Sequence, residues 1–307
     1  MKPALIAAGV CGLLLAGCGE RAVAAAAVVA DAAPASWAAD IAEIRRIAAL
    51  IPGARALRIN VEKFAESRRT KNFAVKGAAA EPSVQARTAY QVVYPNGQIM
   101  IDSGMNQEIH RYFGRGTEEP YFPEAAERVQ RGLQAARLIL LTHEHGDHVG
   151  GVVDSPLAAQ LAPKTLLTLE QLRTLQSAPQ VPQIRLTDVA ARRYLLMDYE
   201  RYLPVAPGIV LIKSPGHTPG SQMIYIVLQS GAEYLFAGDV VWHMDGIRQQ
   251  ALKDAPWLTE DSGNLLVQLA WLNALLRNAG ALHIVVSHDE DQRLAYVASR
   301  LLGGRFE

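Results

Sequence analysis

Ile41, Ile44, Ile47 and Leu50 recur at the spacing of one helical face, and Pro52-Gly53 stops the pattern. The spacing predicts an amphipathic helix, with Ser36 as its cap. Apolar, strand-like segments follow at 56–64 and 89–101, the second broken by Pro95-Asn96-Gly97, which signals a tight hairpin turn. Residues 102–123 read as a loop carrying Met105, Tyr112, Phe113, Tyr121 and Phe122, and 125–136 as an amphipathic helix. Helical patterns at 169–176, 189–197, 264–278 and 292–302 then alternate with short apolar runs. Strand and helix in alternation predict an α/β layer architecture. No internal repeat and no second Pro/Gly/Ser-rich linker divides it.

The beginning of the chain follows a different pattern. Lys2 precedes an apolar run from Ala4 to Ala16, the length of a signal-peptide core and short for a membrane span. The run ends in Leu15-Ala16-Gly17-Cys18, which resembles the bacterial lipobox, where the leader is cut before a cysteine that is then lipidated. This divides the chain into a signal peptide at 1–17, an alanine-rich tether at 18–36 and a folded domain at 37–307. It implies an exported protein held to a membrane through Cys18, in the bacterial envelope on the periplasmic side. Cys11 leaves with the leader, so the mature domain has neither a disulfide nor a thiolate nucleophile or metal ligand. Lys+Arg 30 against Asp+Glu 30 leaves no basic excess to neutralise a row of phosphates, which argues against nucleic acid and for a small-molecule substrate.

The candidate chemistry lies where apolar runs end. Leu138-Ile139-Leu140-Leu141-Thr142 reads as a strand buried on both faces, and His143-Glu144-His145-Gly146-Asp147-His148 follows directly. In extended backbone His143 and His145 point to one side, and a glycine-assisted turn lets Asp147 and His148 face a neighbouring position. Three more apolar runs end in potential ligands: 209–212 leads to His217, 234–237 to Asp239, and 284–286 to His288. Ligands in α/β sheets bind beyond the carboxyl ends of strands, where all of these residues fall. Singly each is an ordinary polar loop residue; the His-x-His-x-Asp-His cluster with three matching strand ends points to a metal site.

The run from Thr142 to Gly151, followed in order by Gly-His-Thr-Pro-Gly, Gly-Asp and Ser-His-Asp, resembles the signature of the metallo-β-lactamase superfamily, over roughly residues 56–302. The resemblance implies an αβ/βα four-layer sandwich, two β-sheets packed face to face between outer helices. It implies that His143, His145 and His217 hold one metal, that Asp147, His148 and His288 hold a second, and that Asp239 bridges them. Nitrogen and oxygen ligands without sulfur suit two Zn²⁺ ions per chain, and also iron or manganese. A metal-bridging hydroxide would then be the nucleophile, and Asp147 would both ligate and pass a proton to the leaving oxygen.

Among the superfamily's activities, the aspartate at position 239 resembles the dinuclear lactonases of the quorum-quenching type and implies hydrolysis of lactones or related carboxylic esters. Those lactonases carry, three residues after the aspartate, a tyrosine that assists the substrate carbonyl. Here that position is Trp242, whose indole nitrogen can also donate. Trp242 and its neighbour His243 are the candidate substrate contacts, while His110 and His283 are read as structural. A β-lactamase, a phosphodiesterase and a catalytically silent metal-binding lipoprotein remain as alternatives.

Overall fold

The structure is a computed structural model that describes residues 37–307. The expected leader, the tether and Cys18 lie outside the described residues. Among the described residues no helix is long and apolar enough to cross a membrane.

Among the described residues, eleven strands form two sheets. The first contains β1 (Arg58–Thr70), β2 (Pro82–Tyr94), β3 (Gly97–Ile101), β4 (Leu138–Leu140), β5 (Thr165–Thr168) and β6 (Leu195–Met197), in that order. The second contains β7 (Tyr202–Ala206), β8 (Ile209–Lys213), β9 (Gln222–Val227), β10 (Glu233–Phe236) and β11 (Leu282–Val285), also in chain order across the sheet. The β1–β2–β3 meander is antiparallel, and β3 to β6 run parallel through helical crossovers. In the second sheet β8 and β10 both pair antiparallel with β9, and β11 pairs parallel with β10. The carboxyl ends of β8, β10 and β11 therefore lie at one end of that sheet.

Alternation along the strands sorts the core into layers. Ile99, Ile101, Leu140, Ile209, Leu211, Ile224, Ile226 and Phe236 meet between the two sheets. Their neighbours Met100, Ile139 and Leu141 turn outward against the helices Gln107–Gly114, Pro123–Ala135, Gly146–Val153 and Leu169–Ser177. On the other side Val210, Ile212, Met223 and Tyr225 pack against Ile41–Ile47, Met244–Gln249 and Ser262–Asn278. This is the expected helix–sheet–sheet–helix sandwich. Both faces of each sheet are covered, so the central strands read as continuous apolar runs.

Four expectations needed correction. The first helix, Ile41–Ile47, is capped by Asp40, whose side chain accepts from the Ala42 amide at 2.8 Å, and not by Ser36. Residues 189–197 are not a helix: a single turn at Asp188–Ala191, capped by the Thr187 side chain, precedes β6. The contiguous apolar run Leu195-Leu196-Met197 pairs with Leu166-Leu167-Thr168, and a run without a helical gap suits an edge strand. The stretch 102–123 contains a helix at Gln107–Gly114, started by Asn106, whose side chain accepts from the Ile109 amide at 2.9 Å. The last helix stops at Ala298 rather than 302. The predicted hairpin turn is found between β2 and β3, with Tyr94 facing Gly97.

Candidate metal centre

Each proposed ligand leaves the end of a strand. Thr142 follows β4, and its amide and hydroxyl donate to the Asp102 carboxylate at 2.7 and 2.9–3.0 Å, which fixes the path into His143. The turn expected after His145 is a helix: His145 occupies the N-cap of Gly146–Val153, and Asp147 and His148 sit in its first turn. Glu144 faces away from the ligands, and its carboxylate accepts from Thr218 Oγ1 at 2.9 Å and from the Gly220 amide at 3.3 Å. It thereby ties the His217 loop, which follows β8, to the end of β4. A second tie is Gln222, whose amide donates to Thr142 O at 2.8 Å and whose side chain donates to Leu141 O at 2.7 Å. The His288 loop after β11 is clasped to β2 through Ala86, whose amide donates to His288 O and whose carbonyl accepts from His288 Nδ1 at 2.8 Å.

These ties bring all seven residues together. The rings of His143, His145 and His217 lie 4.6–4.8 Å apart, centroid to centroid, and His148 and His288 are 5.6 Å apart. Asp239 lies between the two groups. Its Oδ2 is 3.4 Å from His217 Nε2 and 3.3 Å from His288 Nε2, and its Oδ1 is 3.4 Å from His148 Nε2. Asp147 Oδ2 is 3.4 Å from His148 Nε2 and 3.6 Å from His288 Nε2. Candidate ligand atoms fall within mutual reach in the sets His143/His145/His217, His143/His148/Asp239 and Asp147/His148/His288.

The donor chemistry fits metal ions. His143 Nε2, His148 Nε2 and Asp239 Oδ1 are buried without a hydrogen-bond partner. Leaving such groups unpaired costs about 1–3 kcal/mol each, so the fold has a use for cations at this point. The far side of several rings is occupied: His148 Nδ1 donates to Asp102 Oδ2 at 2.8 Å, His288 Nδ1 to Ala86 O, and His217 Nδ1 to Glu260. Such partners fix the tautomer and turn Nε2 towards the other candidate ligands: His217 Nε2 lies 2.9 Å from His145 Nδ1, and His288 Nε2 3.3 Å from Asp239 Oδ2.

Electrostatics agree with ligand roles. Burial and then the neighbouring His148 push His143 well down; burial and then Lys253 do the same to His217; burial takes His145 down to about 4. Neutral imidazoles are the metal-binding form. Burial opposes ionisation of Asp147 and Asp239. Arg87 and His148 outweigh it at the former, and His288 and His148 at the latter, holding both well below the usual carboxylate range. Burial also works against a protonated His148, but Asp147, Asp102 and Asp239 push it up. The same carboxylates would favour a metal cation at that place.

A model of the metallo-beta-lactamase superfamily matches residues 83–288, two thirds of the chain, and spans every one of these side chains. The chain belongs to that superfamily. Among curated superfamily relatives, it is 28% identical over 160 residues to a "Beta-lactamase-like protein 2 homolog" of Drosophila melanogaster and 23% identical over 177 residues to an "N-acyl homoserine lactonase" of Bacillus sp. Each match takes in 52% of this chain, and 48% and 66% of the relatives' own lengths. Among solved structures, an N-acyl homoserine lactone hydrolase, with the product N-hexanoyl-L-homoserine bound at its catalytic metal centre, superimposes with a TM-score of 0.63. Its sequence identity is 15%, covering 78% of this chain and 96% of that one. At that identity the match speaks for the fold.

Beside the ligands opens a cavity of about 770 Å³, lined in part by Trp242, Phe113, Tyr112 and Trp257. Trp242 reaches this wall, and its indole N–H donates to Asp239 Oδ2 at 2.7 Å. His243 is not brought into the cavity: it caps the helix Met244–Gln249, with Nδ1 accepting from the Asp245 amide at 3.0 Å. His110 lies buried against Glu119 O at 3.2 Å, and His283 packs against Tyr234 and Tyr296.

Four residues around the ligands escaped the sequence analysis. Asp102 follows β3 as the ligands follow their own strands, a signal that was available. Arg87, inside β2, donates to Asp147, and Glu260 and Lys253 sit in an irregular segment, joined to each other at 2.8 Å. Lys253 also donates to the Asp239 carbonyl. Nothing in the local sequence marks these three.

Proposed function

We propose that the chain is a metal-dependent hydrolase with two zinc ions, acting on lactones or related carboxylic esters in the bacterial envelope, to which Cys18 anchors it. The observation that carries this reading is Asp239, one carboxylate facing both groups of histidines. His143, His145 and His217 would hold one ion, Asp147, His148 and His288 the other, with Asp239 shared. Such a pair supplies a water acidic enough to act as a nucleophile at neutral pH, and polarises the carbonyl under attack. The chain's own residues do the rest. Asp102, Glu260 and Ala86 aim the imidazoles, and Trp242 and the Lys253 ammonium steady Asp239. Asp147, which Arg87 holds in place, would take a proton from the attacking water and pass it to the leaving alkoxide. The match to an N-acyl homoserine lactonase supports lactones within the ester class.

The test is a panel of an acyl-homoserine lactone, an aryl ester, a cephalosporin and a phosphodiester, with metal content measured alongside. About two metal equivalents and turnover of the lactone or ester are expected, with His145→Ala losing activity. Turnover of the cephalosporin or phosphodiester alone would reassign the substrate. Two bound metals with no turnover would leave a silent metal-binding protein.

A further inference from the structure

The charges on the cavity wall are unevenly committed. Its acids are Asp147, Asp239 and Glu260. The first two belong to the ligand set, and Glu260 is taken by His217 and Lys253. Its bases are Arg69, Arg87 and Arg115. Arg69 is paired with Glu119 and Arg87 with Asp147, but the Arg115 guanidinium has no ion pair or hydrogen bond among the described residues. It lies instead over the face of Trp257, 4.3 Å from the ring centre, and Trp257 is braced edge-on by Phe73 at 5.3 Å. Arg115 is also the C-cap of the helix Gln107–Gly114, at φ 51° and ψ 43°. That conformation suits glycine, and a long cationic side chain accepts it here at a cost in strain.

We infer that Arg115 on its Trp257 platform is an anion-recognition subsite, so that the substrates of this centre carry a carboxylate away from the bond that is cut. This rests on the hydrolase reading above and narrows its substrate class. Stacking fixes the guanidinium plane and leaves its N–H edge free to grip both oxygens of a carboxylate. No uncommitted acid on the wall repels such a group. The half-buried Arg87, though paired with Asp147, keeps an Nε that has no acceptor. A purely alkyl substituent would gain nothing from Arg115 and would disturb its hydration.

The experiment compares homoserine lactones whose acyl chain of four to eight carbons ends in a carboxylate with the same lactones ending in a methyl ester. Both series are run with the metal-loaded full chain and with its Arg115→Gln and Arg115→Lys variants. The full chain is expected to favour at least one acid over its methyl ester by about tenfold in kcat/KM, with Gln erasing that ratio and Lys keeping part of it. Equal kcat/KM across every pair, or a ratio unchanged in Arg115→Gln, overturns the subsite while leaving the hydrolase standing. If no lactone turns over, the lactone reading fails and binding decides the subsite. Free dicarboxylates of the same lengths, followed by tryptophan fluorescence, should bind the full chain about tenfold more tightly than monocarboxylates do, and Arg115→Gln should abolish the difference. Equal binding overturns the inference.

Discussion

The indole of Trp242 donates its one hydrogen bond to a proposed ligand, Asp239, and the carboxylate of Glu260, which also pairs with Lys253, accepts from another, His217. A ligand that is aimed in advance loses less freedom when a metal arrives, and removal of such a partner commonly weakens metal binding by 10- to 100-fold. Trp242→Phe keeps the ring and loses the donor; Glu260→Gln keeps the shape and loses the charge. Each is expected to lower metal affinity by about that factor, read by competition with a chromophoric chelator. An unchanged affinity in Trp242→Phe would mean that the indole serves packing alone. At this scale the seven candidate ligands could be picked out because they follow the ends of four apolar runs, and the structure brings their side chains together. Their supports were not, because a hydrogen bond between Lys253 and the Asp239 carbonyl, or between Arg87 and Asp147, is defined only once distant segments meet.

The helix Gly146–Val153 carries two candidate ligands in its first turn, and its second half lies close against the irregular segment that follows β3. A Cβ on Gly151 would lie 1.9 Å from the backbone oxygen of Ser103, and neither partner is a flexible side chain. The Gly151 amide also donates to Gly104 O at 2.7 Å. Gly151→Ala is therefore expected to destabilise the fold by about 3 kcal/mol or more, through a forced shift of the helix or of the Ser103 backbone. Chemical denaturation would measure it, and a loss under 1 kcal/mol would show that the helix can move. The same shift should impair Asp147 and His148 as ligands, since they ride on that helix. In the sequence the Gly-Asp-His segment reads as a turn, because a glycine after an extended histidine and the absence of a polar cap conceal a helix start. The helix Gln107–Gly114 was hidden likewise, its aromatic residues obscuring a short amphipathic pattern, whereas the hairpin signal Pro95-Asn96-Gly97 is purely local and was read correctly.

Across the described residues, the first sheet contributes the candidate ligands after β4 and the second those after β8, β10 and β11, so the candidate site lies on the seam between the two sheets. Metal bound there binds the folded state alone, and mass action adds about 2.7 kcal/mol per ion at a hundredfold excess over its Kd. For a folded region of this size that corresponds to roughly 5 °C in Tm for each ion. Calorimetry with and without a strong chelator should show a fall of that order, restored by adding zinc. A Tm indifferent to the chelator would place the ions elsewhere or nowhere. The α/β layers were legible from the alternation of strand and helix patterns, whereas the two-sheet sandwich was implied only by the resemblance to the superfamily. The edge strand β6 was not, being three residues long and preceded by a single helical turn.

The clasp between Ala86 and His288 joins segments made early and late in synthesis. A nascent chain can present His143, His145, Asp147 and His148 long before it can surround an ion with them, and a partial cluster would hold metal loosely and exchange it freely. Selection of the resident ion is thereby deferred to the closing step of folding, in whichever compartment that step takes place.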